Sequence, residues 1–212
     1  MPAELIKLFE ANPQQKKIQR IVDILRNDGV IVYPTDTIYG LGCDIFNRRA
    51  IDKLCRIKGI DLRKTHLSFV CYDLSDISKY ARSISTPVFK LMKKALPGPF
   101  TFVLKASGNV PGIFQSKKKT VGIRVPDNNI ARLIVKELGN PVISASLKDE
   151  DELVEYPSDP ELIYEQYKNL VDAVIDGGYG GNVPSTVVDC TGDEVDILRE
   201  GKGDLSRFMM VM

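Results

Sequence analysis

Apolar residues at helical spacing alternate along this chain with short apolar runs, and a glycine or proline closes most of the segments. Gln15–Asp28 puts Ile18, Ile21, Val22 and Leu25 on one helical face, and Gly29 is placed to end it. Val30–Tyr33 follows as a short buried strand. Asn47 is a candidate cap for a helix carrying Ile51, Leu54 and Cys55, with Gly59 as its stop. Leu67–Cys71 reads as the next strand. Thr86-Pro87 opens a helix with Val88, Leu91, Met92 and Ala95 on one side, and Pro97-Gly98-Pro99 ends it. Phe100–Lys105 and Thr120–Val125 read as strands, Asp127–Leu138 as a helix closed by Gly139, and Val142–Ser146 as a strand. Asp159-Pro160 opens a further helix, and Asp172–Asp176, Thr186–Cys190 and Val195–Leu198 read as strands. Such alternation predicts an α/β fold with helices on the faces of a sheet. The last strands follow one another without helices, which predicts a mixed sheet.

A chain of 212 residues, 43% hydrophobic, suits a single domain with a proper core. The net charge of +1 names no partner, but the charges are clustered. Arg48 to Lys64 holds seven basic residues against two acids, and Asp149 to Glu161 holds seven acids and no base. The acidic stretch near Asp149–Pro157 is the expected mobile loop. Cys43, Cys55, Cys71 and Cys190 form no C-x-x-C pair, which fits a reducing compartment and no disulfide framework. The first ten residues have no apolar signal core, and no apolar run approaches the roughly 20 residues of a membrane helix. These features predict a soluble cytoplasmic protein that does not associate with membranes; either a monomer or a homodimer fits them.

Several chemistries find no support. His66 is the single histidine, no G-x-S-x-G elbow is present, and no histidine–cysteine set has zinc spacing, so no metal site is predicted. Neither a G-x-x-x-x-G-K-[ST] loop nor a G-x-G-x-x-G after a strand occurs. Gly177, Gly178, Gly180 and Gly181 lack the lysine of a phosphate loop and read as a turn.

The informative segment is Tyr33-Pro34-Thr35-Asp36-Thr37-Ile38-Tyr39-Gly40-Leu41. A strand delivers two threonines, an acid and a tyrosine into a turn, and a glycine then lets the backbone approach something. Lys119-Thr120-Val121-Gly122-Ile123-Arg124-Val125-Pro126, Ser144-Ala145-Ser146, Pro184-Ser185-Thr186-Val187-Val188-Asp189 and Leu198-Arg199-Glu200-Gly201 follow in order. Together these segments resemble the YrdC/YciO family, and its YciO branch most. The resemblance runs from the first helix nearly to the C-terminus. It implies one YrdC-like domain with a concave basic cleft and no additional C-terminal domain.

The resemblance also implies an activity. The family's synthases combine L-threonine, bicarbonate and ATP into threonylcarbamoyl-adenylate and pyrophosphate, for modification of tRNA. Magnesium is expected with the phosphates. Carried over by position, Lys58 and Arg124 would be catalytic. Thr35, Arg124, Ser144 and Ser185 would bind threonine. Lys58, Arg63, Lys64, Thr120, Ser146 and Arg199 would face the nucleotide. From the residues alone, Thr35 could be a turn former, Arg124 an edge-strand charge, Ser144 and Ser146 a solvent-facing pair, and Arg199 a partner for Glu200.

Some positions depart from the synthase pattern. The usual K-x-R reads Lys58-Gly59-Ile60, an asparagine is replaced by Lys64, a histidine by Phe69, and a second asparagine by Lys148. Each lost charge-assisted contact would cost about 1.5–3 kcal/mol, enough together to weaken the chemistry. Two functions therefore stand side by side. One is the synthase. The other is an RNA-binding paralogue, for tRNA or double-stranded RNA, using Arg48, Arg49, Lys53, Arg56, Lys117, Lys118 and Lys119 on phosphates. A nucleotide sensor without turnover is a third.

Overall fold

The structure, a computed structural model, describes residues 2–62, 67–114, 119–147 and 157–206. Its strands are β1 (Glu4–Lys7), β2 (Ile31–Tyr33), β3 (Gly40–Asp44), β4 (Ser68–Val70), β5 (Phe100–Lys105), β6 (Thr120–Arg124), β7 (Val142–Ser146), β8 (Ala173–Asp176), β9 (Thr186–Asp189) and β10 (Asp196–Arg199). Its α-helices are α1 (Gln15–Arg26), α2 (Arg48–Lys58), α3 (Leu74–Tyr80), α4 (Thr86–Ala95), α5 (Asn129–Leu138) and α6 (Pro160–Tyr167). All ten strands join one mixed sheet in the order β1-β8-β2-β3-β7-β4-β6-β5-β9-β10. The single-domain α/β fold with a mixed sheet is thus as predicted.

Local chemistry explains most helix ends. Asn47 accepts from the Ala50 N–H, and Gly59 closes α2 in the left-handed conformation at φ 65°. Asn128 caps α5, which Gly139 closes at φ 87°. Asp159 caps α6 through the Glu161 N–H. The end of α1 differs from expectation. Asp28, not Gly29, takes the left-handed turn, at φ 63°. Gly29 is needed for another reason: a Cβ there would lie 2.3 Å from the Ile24 carbonyl oxygen.

Three elements escaped the sequence reading. Strand β1 is short, with one buried residue. Helix α3 spans only 7 residues. Strand β3 reads Gly-Leu-Gly-Cys-Asp, with little intrinsic strand preference. It forms because both neighbours pair with it, β2 on one side and β7 on the other.

Strand pleating separates two apolar clusters. On one face Val32, Leu41, Phe69, Ile123, Ile143 and Val188 pack beneath α2, α3, α4 and α6. On the other, Ile6, Ile31, Val70, Val142 and Ile175 pack beneath α1 and α5. No described residue of β3, β5, β6, β9 or β10 joins that second cluster. Across this half of the second face the pleat presents Gly40, Gly42, Ser144, Ser146, Ser68, Thr120, Gly122, Arg124, Thr101 and Val187. Small and polar residues thus occupy the half of this face that lies outside the second apolar cluster. Among the described residues, no helix is long and apolar enough to cross a membrane.

Candidate functional site

The candidate site is organised around Arg124 at the end of β6. The residue lies on an interior strand, between β4 and β5, and is 5% exposed, so it is not an edge charge. Its Nη2 donates to Thr35 Oγ1 at 3.1 Å, to Thr37 Oγ1 at 2.6 Å and to Asp36 Oδ1 at 2.5 Å. Thr35 does two jobs. Its hydroxyl accepts from the Thr37 N–H at 3.2 Å and donates to the Ile38 carbonyl at 2.7 Å, which shapes the turn. The same oxygen meets Arg124.

Glycines mould the surroundings of this loop. A Cβ on Gly177 would lie 2.6 Å from Pro34 Cγ, one on Gly180 2.7 Å from Tyr39 Cδ2, and one on Gly181 2.3 Å from the Thr37 oxygen. The segment after β8 is therefore a turn fitted to the Pro34–Tyr39 loop, not a phosphate loop. Tyr39 Oη fastens the two by donating to the Gly178 carbonyl at 2.7 Å and accepting from the Gly177 N–H at 3.1 Å. From the far side, Lys202 Nζ donates to the Asp36 carbonyl at 2.6 Å.

The candidate residues fall into two groups along the strands. Ser144 pairs with Ser68 and Gly42, and Ser68 pairs with Gly122. Ser144 is buried beside the ring of Tyr33, which lies over Gly40 and Gly42. It does not face solvent. Two residues along, about 7 Å away, Ser146 and Thr120 occupy the same end of their strands. Lys58 approaches that end, its Nζ 3.4 Å from the Leu147 carbonyl. Across β5, Ser185 Oγ lies 2.9 Å from Thr101 Oγ1. Arg199 donates from Nη2 to the Ser185 carbonyl at 3.0 Å.

Burial pushes the Tyr33 phenol up to about 12, only partly offset by nearby Ser144 and the Arg124 charge. Its Oη approaches Ser144 without reaching hydrogen-bond geometry and has no partner. Asp36 Oδ2 and Arg124 Nε are likewise buried without partners.

Two departures from the synthase pattern, Phe69 and Ile60, are apolar residues packed on the core. Phe69 points to the face opposite Arg124, edge-on to Tyr80 at 6.0 Å and to Phe114 at 5.3 Å between ring centroids. Ile60 also packs against that core. Arg63, Lys64, Lys117, Lys118 and Lys148 lie outside the described residues, as does the acidic stretch before Pro157. Lys119 directly precedes Thr120, at φ 51°.

The basic residues of α2 lie on the helix packed against the other face. Arg48 pairs with Asp52 at 3.1 Å, Arg49 with Asp28 at 3.2 Å and Lys53 with Asp172 at 2.6 Å. Arg56 Nε donates to the Asp52 carbonyl. An apolar hollow of about 260 Å³ between α3 and α4, lined by Leu74, Ile77, Ile84, Phe89 and Met92, has only Ser78 and Ser83 as polar side chains. It offers little to orient a charged ligand.

Sequence reasoning passed over Tyr33, Asp36, Thr37, Thr101 and Lys202 as site residues. Asp36 and Thr37 stood inside the motif, but Lys202 carries no local signal.

The Sua5/YciO/YrdC family model, described as "Telomere recombination", matches residues 23–201. The chain belongs to this family. It is 44% identical over 201 residues to the uncharacterized protein YciO of Escherichia coli (strain K12), covering 93% of this chain and 95% of that one. The crystal structure of E. coli YciO superposes with a TM-score of 0.90 at 40% identity, covering 97% and 99% of the two chains. The putative threonylcarbamoyl-AMP synthase of Methanocaldococcus jannaschii is 31% identical over 204 residues, 93% of each chain. P. abyssi Sua5, crystallised with L-threonine, superposes with a TM-score of 0.88 at 26% identity, covering 98% of this chain and 60% of that one. The YrdC/YciO resemblance carried by the sequence motifs is thereby established.

Proposed function

We propose that this protein is an L-threonylcarbamoyladenylate synthase, converting L-threonine, bicarbonate and ATP into threonylcarbamoyl-AMP and pyrophosphate for tRNA modification. The observation that carries it is the convergence of Thr35, Thr37 and Asp36 on the buried Arg124. Threonine-bound Sua5 and the putative synthase relative support the amino acid and the activity.

The two groups along the strands suit two ligands. Arg124, Thr35, Ser144 and Ser185 would take threonine, its carboxylate on the guanidinium fork. Thr120, Ser146 and Lys58 would take the nucleotide. In the reaction, the threonine amine adds to the carbon of carbon dioxide, which bicarbonate supplies by losing hydroxide, and the proton the amine sheds joins that hydroxide as water. A carbamate oxygen then attacks the α-phosphorus, and the bond to pyrophosphate breaks. Two anions must be held in line, so positioning and charge neutralisation are the protein's contribution. Magnesium enters with the phosphates. Phosphate oxygens and water are the ligands such an ion usually keeps.

The RNA-binding alternative draws on α2, where Arg48, Arg49 and Lys53 each already face an acid.

The test is pyrophosphate release from ATP and magnesium with threonine and bicarbonate. Release that needs both, and that falls roughly ten- to hundredfold in Arg124→Ala, is expected from loss of a charge-assisted substrate contact. No release above background overturns the proposal.

A further inference from the structure

We propose that Asp36 receives the α-ammonium of the amino acid whose carboxylate Arg124 holds, so that the buried pair recognises the zwitterion as one unit. The inference rests on the amino-acid half of the reading above, not on its adenylate chemistry.

Arg124 and Asp36 are opposite charges side by side, their side chains 7% and 8% exposed. Asp36 keeps one carboxylate oxygen unused, and Arg124 keeps Nε and Nη1. The hydrogen bonds of Arg124 to the loop all leave through Nη2, while Nε has no partner. Asp36 spends Oδ1 on Arg124, while Oδ2 has none. Buried charged atoms without partners are costly and rare in folded proteins.

The open atoms select a ligand class by charge. A carboxylate satisfies the guanidinium edge, and an ammonium satisfies Oδ2. A phosphate would meet the Asp36 carboxylate with like charge. A hydroxy acid would leave Oδ2 open, and a simple amine would leave Nε open. Only a ligand with both charges close together closes both.

The surroundings hold the pair in register. Thr35 and Thr37 fix Nη2, and Lys202 fixes the Asp36 backbone, so the carboxylate has a set position. Neither Nε nor Oδ2 reaches bulk water. A charged ligand that reaches them binds where charge-assisted bonds are strong.

The test is calorimetric titration of the full chain with L-threonine and with 3-hydroxybutanoate, which is threonine without its amine. In the natural protein, loss of the amine should weaken binding roughly ten- to hundredfold. In Asp36→Asn both ligands should bind at the weaker level, within about threefold of each other, and Arg124→Gln should lose both. Equal binding of the two ligands by the natural protein overturns the inference, even if Asp36→Asn does not fold. A full preference for threonine in folded Asp36→Asn overturns it too, as does failure of every common α-amino acid to bind. Amino-acid binding that depends on Asp36, without pyrophosphate release, would sink the synthase and leave this inference standing.

Discussion

Arg124 reaches Asp36 with its Nη2 2.5 Å from Oδ1, and the two residues come from elements 88 positions apart in sequence. The pair ties the Pro34–Tyr39 loop to the interior of the sheet. Removing one partner leaves a buried charge uncompensated, at about 3–5 kcal/mol. Arg124→Met and Asp36→Leu should each cost that much in urea unfolding. The double variant should cost clearly less than their sum, because the two charges leave together. Simple additivity would show that the pair is not coupled.

Gly181 should tolerate no side chain. Its Cβ would stand 2.3 Å from the Thr37 carbonyl oxygen, a backbone atom that cannot rotate aside. Gly181→Ala should lower stability by about 1–3 kcal/mol and weaken threonine binding, since Thr37 is a partner of Arg124. Gly108→Ala, where nothing lies within 4 Å of the new Cβ, is the control and should change neither. Matching melting temperatures for the two variants would refute the mould.

Phe69→His restores the synthase-like residue yet should not raise activity. The side chain faces the core, between Tyr80 and Phe114. The substitution buries a polar ring and loses two edge contacts, at about 2–4 kcal/mol. A faster, equally stable variant would place position 69 in the cleft after all.

Alkaline pH should unfold the protein through its tyrosines. Burial, first of all, pushes Tyr33, Tyr39 and Tyr80 from the usual 10 up to about 12. The folded form then holds protons that the unfolded form releases between about pH 10 and 12. Stability is accordingly unaffected by these groups below pH 10 and falls as pH rises towards 12. Melting temperature against pH, with tyrosinate absorbance, checks this. Tyrosines that all ionise near 10 without unfolding would contradict it.

The sequence by itself determined the α/β class, most helix ends and the motif residues. These depend on near neighbours: Asn47 caps a helix three residues on, and Gly59 and Gly139 take conformations other residues resist. It also carried the family, because Thr35, Arg124, Ser144 and Ser185 stand in local patterns. Strand β3 was hidden, since Gly40 and Gly42 have little strand preference and are strand only because β2 and β7 flank them. Only the tertiary structure decided which face each residue serves. Phe69 looked like a lost cleft contact until the pleat turned it into the core. Asp36 looked like one acid in a turn until a strand distant in sequence brought Arg124 to it. Lys202 joined the site with no signal at all. Periodicity and capping are short-range chemistry, whereas the partner of a buried charge is set by how the whole sheet closes.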